Sequence, residues 1–290
     1  MFKEGTFREL VEIALEHHPE LAGMEVIVEK ELLHYELLHV LDHGGWLDGL
    51  IFQGGTALRL CYGASRLSED LDFSGGPGFS TNSMGGLATY LKRKLSGRGL
   101  GVEVKSPKTI TSHLSSNIGV NTWRIAFEIL PFQRGIPKQR IKLDVDNAPT
   151  YTEHPRAIAQ NYGVVRESQM LVRVQSREEI LASKLVAFSN SVVKRNRPRF
   201  RDIWDLQWLR ENGTAIHNDL VRAKMSDHHV ESAWFEIAAD SVGEIVRSTE
   251  FANEMRRFLL PQTAAQTLDR PLSLDSLASE IESLIRMAYR

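Results

Sequence analysis

Apolar residues recur along this chain with two different periods, and the change of period marks its elements. Phe7, Leu10, Val11 and Ala14 fall at helical spacing, and Thr6 is placed to cap a helix over residues 7–18. Leu33, Leu37, Val40 and Leu41 stripe a second helix over residues 24–43, which Gly44-Gly45 ends. Leu50-Ile51-Phe52 is a short unbroken apolar run of the kind that forms a buried strand, and residues 57–60 read as a short helix. The period then falls to two. Asp70-Leu71-Asp72-Phe73, Val102 to Lys105, Asn121 to Leu130 and Ile141 to Asp146 all alternate as half-buried strands. Trp123, Ile125, Phe127 and Ile129 share one face of the third of these. Residues 87–96 look helical, residues 148–163 irregular, and Met170 to Val174 like another strand. Ser176-Arg177-Glu178-Glu179 has capping-box spacing and opens a helix with Ile180, Leu181, Leu185 and Phe188 on its apolar face. Arg201 to Leu206 opens the next, and further helices are predicted over 215–224, 231–246, 250–259 and 273–288. Strands mixed with helices come first and helices alone afterwards. That order predicts an α/β domain over residues 1–165 and a mostly helical one over 166–290.

Composition narrows the classes. At 290 residues, either one large domain or two moderate ones can bury a full core, and 42% apolar with 25% charged residues is ordinary for a globular protein. The net charge of −2 implies no global attraction to nucleic acid, so any such binding must come from local clusters. The densest is Lys194, Arg195, Arg197, Arg199 and Arg201, broken by Pro198. Cys61 is the only cysteine, which excludes an internal disulfide and leaves no thiolate set for zinc. His39 and His43 are four residues apart, but no His-Glu-x-x-His pattern surrounds them, so the histidines read as solvated or core-edge. No apolar run approaches the roughly 20 residues that span a bilayer. The N-terminus lacks a basic region followed by an apolar core, so a cytoplasmic protein without membrane contact is expected.

The chemistry concentrates between Phe52 and Phe73. Gly54-Gly55-Thr56 follows the apolar strand, and neither glycine has a Cβ to keep a ligand from the backbone. The helix that begins there points its N–H groups outward, which makes its start a site for an anion. Asp70 and Asp72 share one strand face, where two carboxylates repel until a hard divalent cation relieves them. A phosphate cradle beside a carboxylate pair is equipment for nucleotidyl transfer. Further on, Lys142, Asp144 and Asp146 share the polar side of their strand, and periodicity does not choose between the two aspartates as a third carboxylate. The segment Ser74-Gly75-Gly76-Pro77-Gly78 with Ser80 to Ser83 reads as a loop beside the carboxylates, either a connector or a lid. Lys184 lies amid an apolar helix face between Leu181 and Phe188. Asp202 and Asp205 stand in the first turn of the following helix, where acids favour the helix dipole.

The string GGTALRLCYGASRLSEDLDF resembles the AbiEii/AbiGii toxin family, nucleotidyltransferase-like toxins of bacterial abortive-infection and toxin–antitoxin systems, and the resemblance covers roughly residues 25–210. It implies a nucleotidyltransferase (polymerase-beta-like) mixed sheet with a helical C-terminal half. It makes Asp70, Asp72 and Asp144 the metal carboxylates, with Asp146 as the second choice for the third. It gives nucleotide phosphate to Gly54, Gly55, Thr56, Arg66 and Lys184, with Lys184 and its functional partner Asp202 supplied by the helical half from the other wall of a cleft. The cofactor implied is Mg²⁺ or Mn²⁺ and the substrate a nucleoside triphosphate. The acceptor implied is RNA, with the tRNA 3′ end foremost, or a protein hydroxyl, and a cognate antitoxin is the expected partner. The family's usual Arg-x-Lys-x-Arg-Asp run is matched only loosely by Val193-Lys194-Arg195-Asn196. Two other readings are a catalytically inactive nucleotide- or RNA-binding relative and a metal-dependent phosphodiesterase or nuclease. Intact carboxylates weigh against the first, and the glycine turn against the second, since a nuclease needs no triphosphate cradle.

Overall fold

The alternating segments assemble into one mixed sheet. The computed structural model describes residues 7–97, 99–107, 118–129, 137–163, 170–195 and 197–289. The chain folds as two compact units, Met1–Gly63 with Leu67–Val174, and Ala64–Arg66 with Gln175–Arg290.

In the first unit, α1 (Phe7–His17) and α2 (Glu25–His43) lead into β1 (Ile51–Gln53), α3 (Gly54–Tyr62) and β2 (Leu71–Ser74). Then follow α4 (Leu87–Ser96), β3 (Gly101–Lys105), β4 (Val120–Glu128), β5 (Gln139–Asp146), β6 (His154–Ala157) and β7 (Leu171–Val174). The sheet order is β3-β4-β5-β2-β1-β7-β6. β2–β5 and β1–β7 are parallel and the remaining pairs antiparallel. The apolar positions of the alternation lie in the core: Trp123, Ile125, Phe127, Ile141, Leu143 and Val145 are all buried. Phe52 of β1 and Phe73 of β2 stack with ring centroids 4.9 Å apart. Each such side chain removed from water stabilises the fold by about 1.5–3 kcal/mol. α2 is buried nearly all round from Glu31 to Leu38, which makes it a core helix rather than a surface one. Its Glu31 is paired, with Arg59 Nε donating at 3.1 Å and Asn161 Nδ2 at 2.6 Å. Cys61, half-buried on α3, has its thiol pushed up to about 12 by burial, against the opposing charge of Arg156.

The second unit is helical among its described residues. It holds α5 (Arg177–Arg195), α6 (Phe200–Glu211), α7 (Asn218–His228), α8 (Ser232–Arg247), α9 (Thr249–Arg256), α10 (Pro261–Thr267) and α11 (Pro271–Ala288). α5 starts where the capping spacing placed it, with the Glu179 N–H donating to Ser176 Oγ at 3.2 Å. The Glu179 carboxylate meets Lys224 of α7 at 2.8 Å, and both side chains are buried.

Some details differ from the pattern reading. β6 falls in the stretch read as irregular, because its His154-Pro155-Arg156-Ala157 has no apolar alternation. Proline lacks the N–H a central strand needs, and β6 is the sheet edge. α3 runs through to Tyr62, and Gly63 ends it in the left-handed region. The stretch after β2 contains a 3-10 turn, Thr81–Met84, with Met84 buried. Thr6 and Leu130 lie outside the described residues.

Candidate active site

The carboxylates of the first unit are placed by sheet register. Asp72 on β2 is the Cα partner of Asp144 on β5, and across β1 it faces Gln53. Asp70 stands one residue before β2. Its Oδ1 accepts the Lys142 backbone N–H at 3.1 Å and its Oδ2 the Lys142 ammonium at 3.2 Å. Lys142 is half exposed, so solvent screens that contact and the ion pair is weak. Asp144 is different. Its Oδ1 is buried and has no hydrogen-bond partner among the described residues. Burial raises its pKa; a hydrogen bond from Thr122 opposes the rise, and the charge of Asp70 adds to it. Asp146, two residues on, is already engaged, with Gln53 Nε2 donating to its Oδ2 at 2.6 Å and the Ala148 N–H to its Oδ1 at 3.0 Å.

The glycine turn adjoins this row. Gly54 opens α3 at φ +78°, and a Cβ there would come within 2.7 Å of Asp72 Oδ2. Only a residue without a side chain lets the strand carboxylate and the helix start approach so closely. Gly55 is half-buried in the same first turn. Thr56 is buried, its hydroxyl within reach of Ser68 Oγ at 2.8 Å and of the Asp70 carbonyl oxygen. It ties the helix start to the segment that delivers Asp70.

The remaining candidates lie in the second unit and meet there. Lys184 Nζ is 2.9 Å from Asp202 Oδ1 and 2.6 Å from Asp205 Oδ2. Arg66 takes Asp205 with two parallel bonds, Nε to Oδ1 and Nη2 to Oδ2, each 2.8 Å. Arg199 Nε reaches Asp202 Oδ2 at 2.5 Å. Of the five, only Arg199 is exposed. Burial alone would raise the pKa of Asp202, but the charges of Arg199 and Lys184 outweigh it and hold the carboxyl well below the usual range. Asp205 is lowered in the same way, against burial, by Arg66 and Lys184. Three cations thus converge on these two carboxylates.

Comparison with known proteins places the chain in a family. A family model described as the AbiEii nucleotidyl transferase toxin of Type IV toxin–antitoxin systems matches residues 36–280. The chain belongs to this family. Its members are nucleotidyltransferase toxins, and that is the activity class of this AbiEii chain. Comparison with curated proteins finds no match. Among solved structures the chain is similar to MenT4, a nucleotidyltransferase toxin of Mycobacterium tuberculosis H37Rv. The identity is 17%, coverage 98% of this chain and 99% of that one, and the TM-score 0.52. It also resembles JHP933 from Helicobacter pylori at 20% identity, covering 88% and 93% of the two chains with a TM-score of 0.48. The MenT4 likeness shows a shared fold, the mixed sheet with helices of nucleotidyltransferase toxins.

The family uses a divalent metal and a nucleoside triphosphate, and the first unit has donors suited to a hard cation: carboxylate oxygens, one of them buried without a partner. Among the described residues no three His, Cys, Asp or Glu side chains stand close enough together to ring an ion. Asp70 is turned to Lys142, and a cation has to draw it from there. The residue that sequence reasoning passed over is Asp205. It looks like a first-turn acid, yet its i,i+3 spacing from Asp202 puts both on one helix face, which was the available signal.

Proposed function

We propose that this AbiEii-family chain transfers nucleotides from a nucleoside triphosphate to RNA, the tRNA 3′ end foremost, with Mg²⁺ or Mn²⁺ as cofactor. The observation that supports it most is the Asp72–Asp144 register beside Gly54, with a buried Asp144 oxygen lacking a partner. In this reading Asp70, Asp72 and Asp144 would hold the cation, with Asp146 kept in the structural bonds it already makes. A bound divalent cation supplies positive charge to the acceptor hydroxyl and to the triphosphate. The N–H groups at Gly54, Gly55 and Thr56 receive phosphate oxygens at the start of α3. Lys184 takes a phosphate oxygen, with Asp202 orienting it. Arg66 enters through Asp205, whose oxygens it holds so that Lys184 is not fully neutralised. A toxin of a toxin–antitoxin system implies a cognate antitoxin as protein partner, and the cytoplasm, where triphosphates and tRNA are found, as the place of action.

The test is incubation of the purified protein with each of the four α-labelled triphosphates, Mg²⁺ and total RNA. Label is expected in RNA, and Asp72→Ala is expected to abolish it without lowering the melting temperature, since one crowded carboxylate is removed. Label in no RNA, or transfer by Asp72→Ala at the parental rate, refutes the reading.

A further inference from the structure

Several arginines of the second unit sit against a carboxylate. Arg222 lies 2.7 Å from Asp219, Arg247 2.7 Å from Asp275, Arg256 2.5 Å from Asp269 and Arg286 2.6 Å from Asp240. At the end of α5 the cations cluster without such partners. Lys194, Arg195 and Arg197 are all exposed and make no ion pair among the described residues. In a chain of net charge −2, three unneutralised cations within four positions are a local excess that a folded protein has no internal use for.

The run is also held in shape. Ser191, buried at 1% exposure, accepts the Arg199 N–H on its hydroxyl at 3.2 Å and the Arg197 N–H on its carbonyl at 3.4 Å. Its hydroxyl donates to the Phe188 carbonyl at 2.7 Å. One residue, through its hydroxyl and its carbonyl, thus folds the Arg197–Arg199 backbone onto the last turns of α5. Lys194 Nζ lies 4.6 Å from the ring centre of Trp234 on α8, so this lysine too is steered rather than free. Cations held this way lose less entropy on binding a regular polyanion.

We infer that Lys194, Arg195 and Arg197, with Trp234 beneath Lys194, form the seat for the sugar–phosphate backbone of the acceptor RNA. The inference rests on the RNA reading above. Guanidinium groups match phosphate oxygens with paired donors, and an aromatic ring among basic residues is the composition of a single-strand surface. The run also ends at Arg199, which shares Asp202 with Lys184. A strand lying along it is led toward the lysine proposed to meet the incoming nucleotide.

The experiment is fluorescence anisotropy of a short labelled single-stranded RNA with the full chain, without triphosphate, across a salt series. Replacing all three cations (Lys194→Ala, Arg195→Ala, Arg197→Ala) removes three phosphate contacts at about 0.7 of log–log salt slope each. The slope is expected to become shallower by about 2 units, with affinity at low salt down roughly tenfold or more. The melting temperature is expected to stay unchanged. Arg195→Lys with Arg197→Lys keeps the charges and is expected to retain most of the salt slope. An unchanged slope and affinity in the triple alanine variant overturns the inference and leaves the surface to an acidic protein partner. Because binding is read without catalysis, failure here is separable from failure of the proposed reaction. RNA bound through the run but never labelled refutes only the reaction. RNA labelled by the triple variant with unchanged KM refutes only the seat.

Discussion

Asp144 and Asp202 show one residue type carried in opposite directions by its surroundings. Burial keeps Asp144 protonated above the ordinary carboxylate value of about 3.9. Between that value and its raised pKa the folded state holds a proton that the unfolded state has released. Stability therefore falls as pH rises through this window, and the loss persists at neutral pH. Asp144→Asn is expected to raise the metal-free melting temperature at pH 7 and not at pH 3, while transfer is lost. Melting curves of both proteins across that range check it. An Asp144→Asn protein less stable at pH 7 would mean the carboxylate is satisfied after all. At this scale the sequence was partly legible. Strand alternation put Asp72 and Asp144 on polar faces, and the family pattern preferred Asp144 to Asp146. What the structure adds, Gln53 and Ala148 donating to Asp146, lies in contacts 93 and 2 residues away. Asp205 was legible only as a favourable charge at a helix start. Its partner Arg66 is 139 residues distant, and no local pattern announces such a pairing.

Elements with a strong period were read at nearly their observed bounds. β5, with Ile141, Leu143 and Val145 inward, needs only its own residues to declare itself. β6 and the seven-residue α10 do not, since one is a proline-bearing edge and the other too short to show a period. The turn from β1 to α3 depends on a single residue. Gly54→Ala places a Cβ at φ +78°, where an L-residue costs about 1–2 kcal/mol, and drives it into the Asp72 carboxylate. A lower melting temperature and loss of transfer are expected together. Gly63→Ala makes the matching control, since its φ is +82° but a Cβ there meets nothing within 4 Å. It is expected to share the strain and keep the activity. Equal activity loss in both would place the cause in helix strain rather than in crowding of Asp72.

For the molecule as a whole, acid is the revealing condition. Asp202 and Asp205 are held below the usual carboxylate range, so they stabilise the second unit at all pH values above about 4. That contribution is lost as pH falls through their depressed pKa values. Asp205→Asn leaves Arg66 and Lys184 short of a partner in a buried place, a loss of about 3–5 kcal/mol. Denaturant unfolding at pH 7 is expected to show that loss, and at low pH the two proteins are expected to converge. A difference that does not shrink as the pH falls would assign the loss to packing instead. The single cysteine has a bearing on how such changes can be watched. With its thiol half-buried and pushed up to about 12, Cys61 is expected to carry almost no thiolate at neutral pH and to react slowly with maleimides. The native chain is therefore close to silent toward thiol chemistry, and a cysteine introduced at an exposed position such as Arg197 can carry a dye or spin label without first removing a natural one.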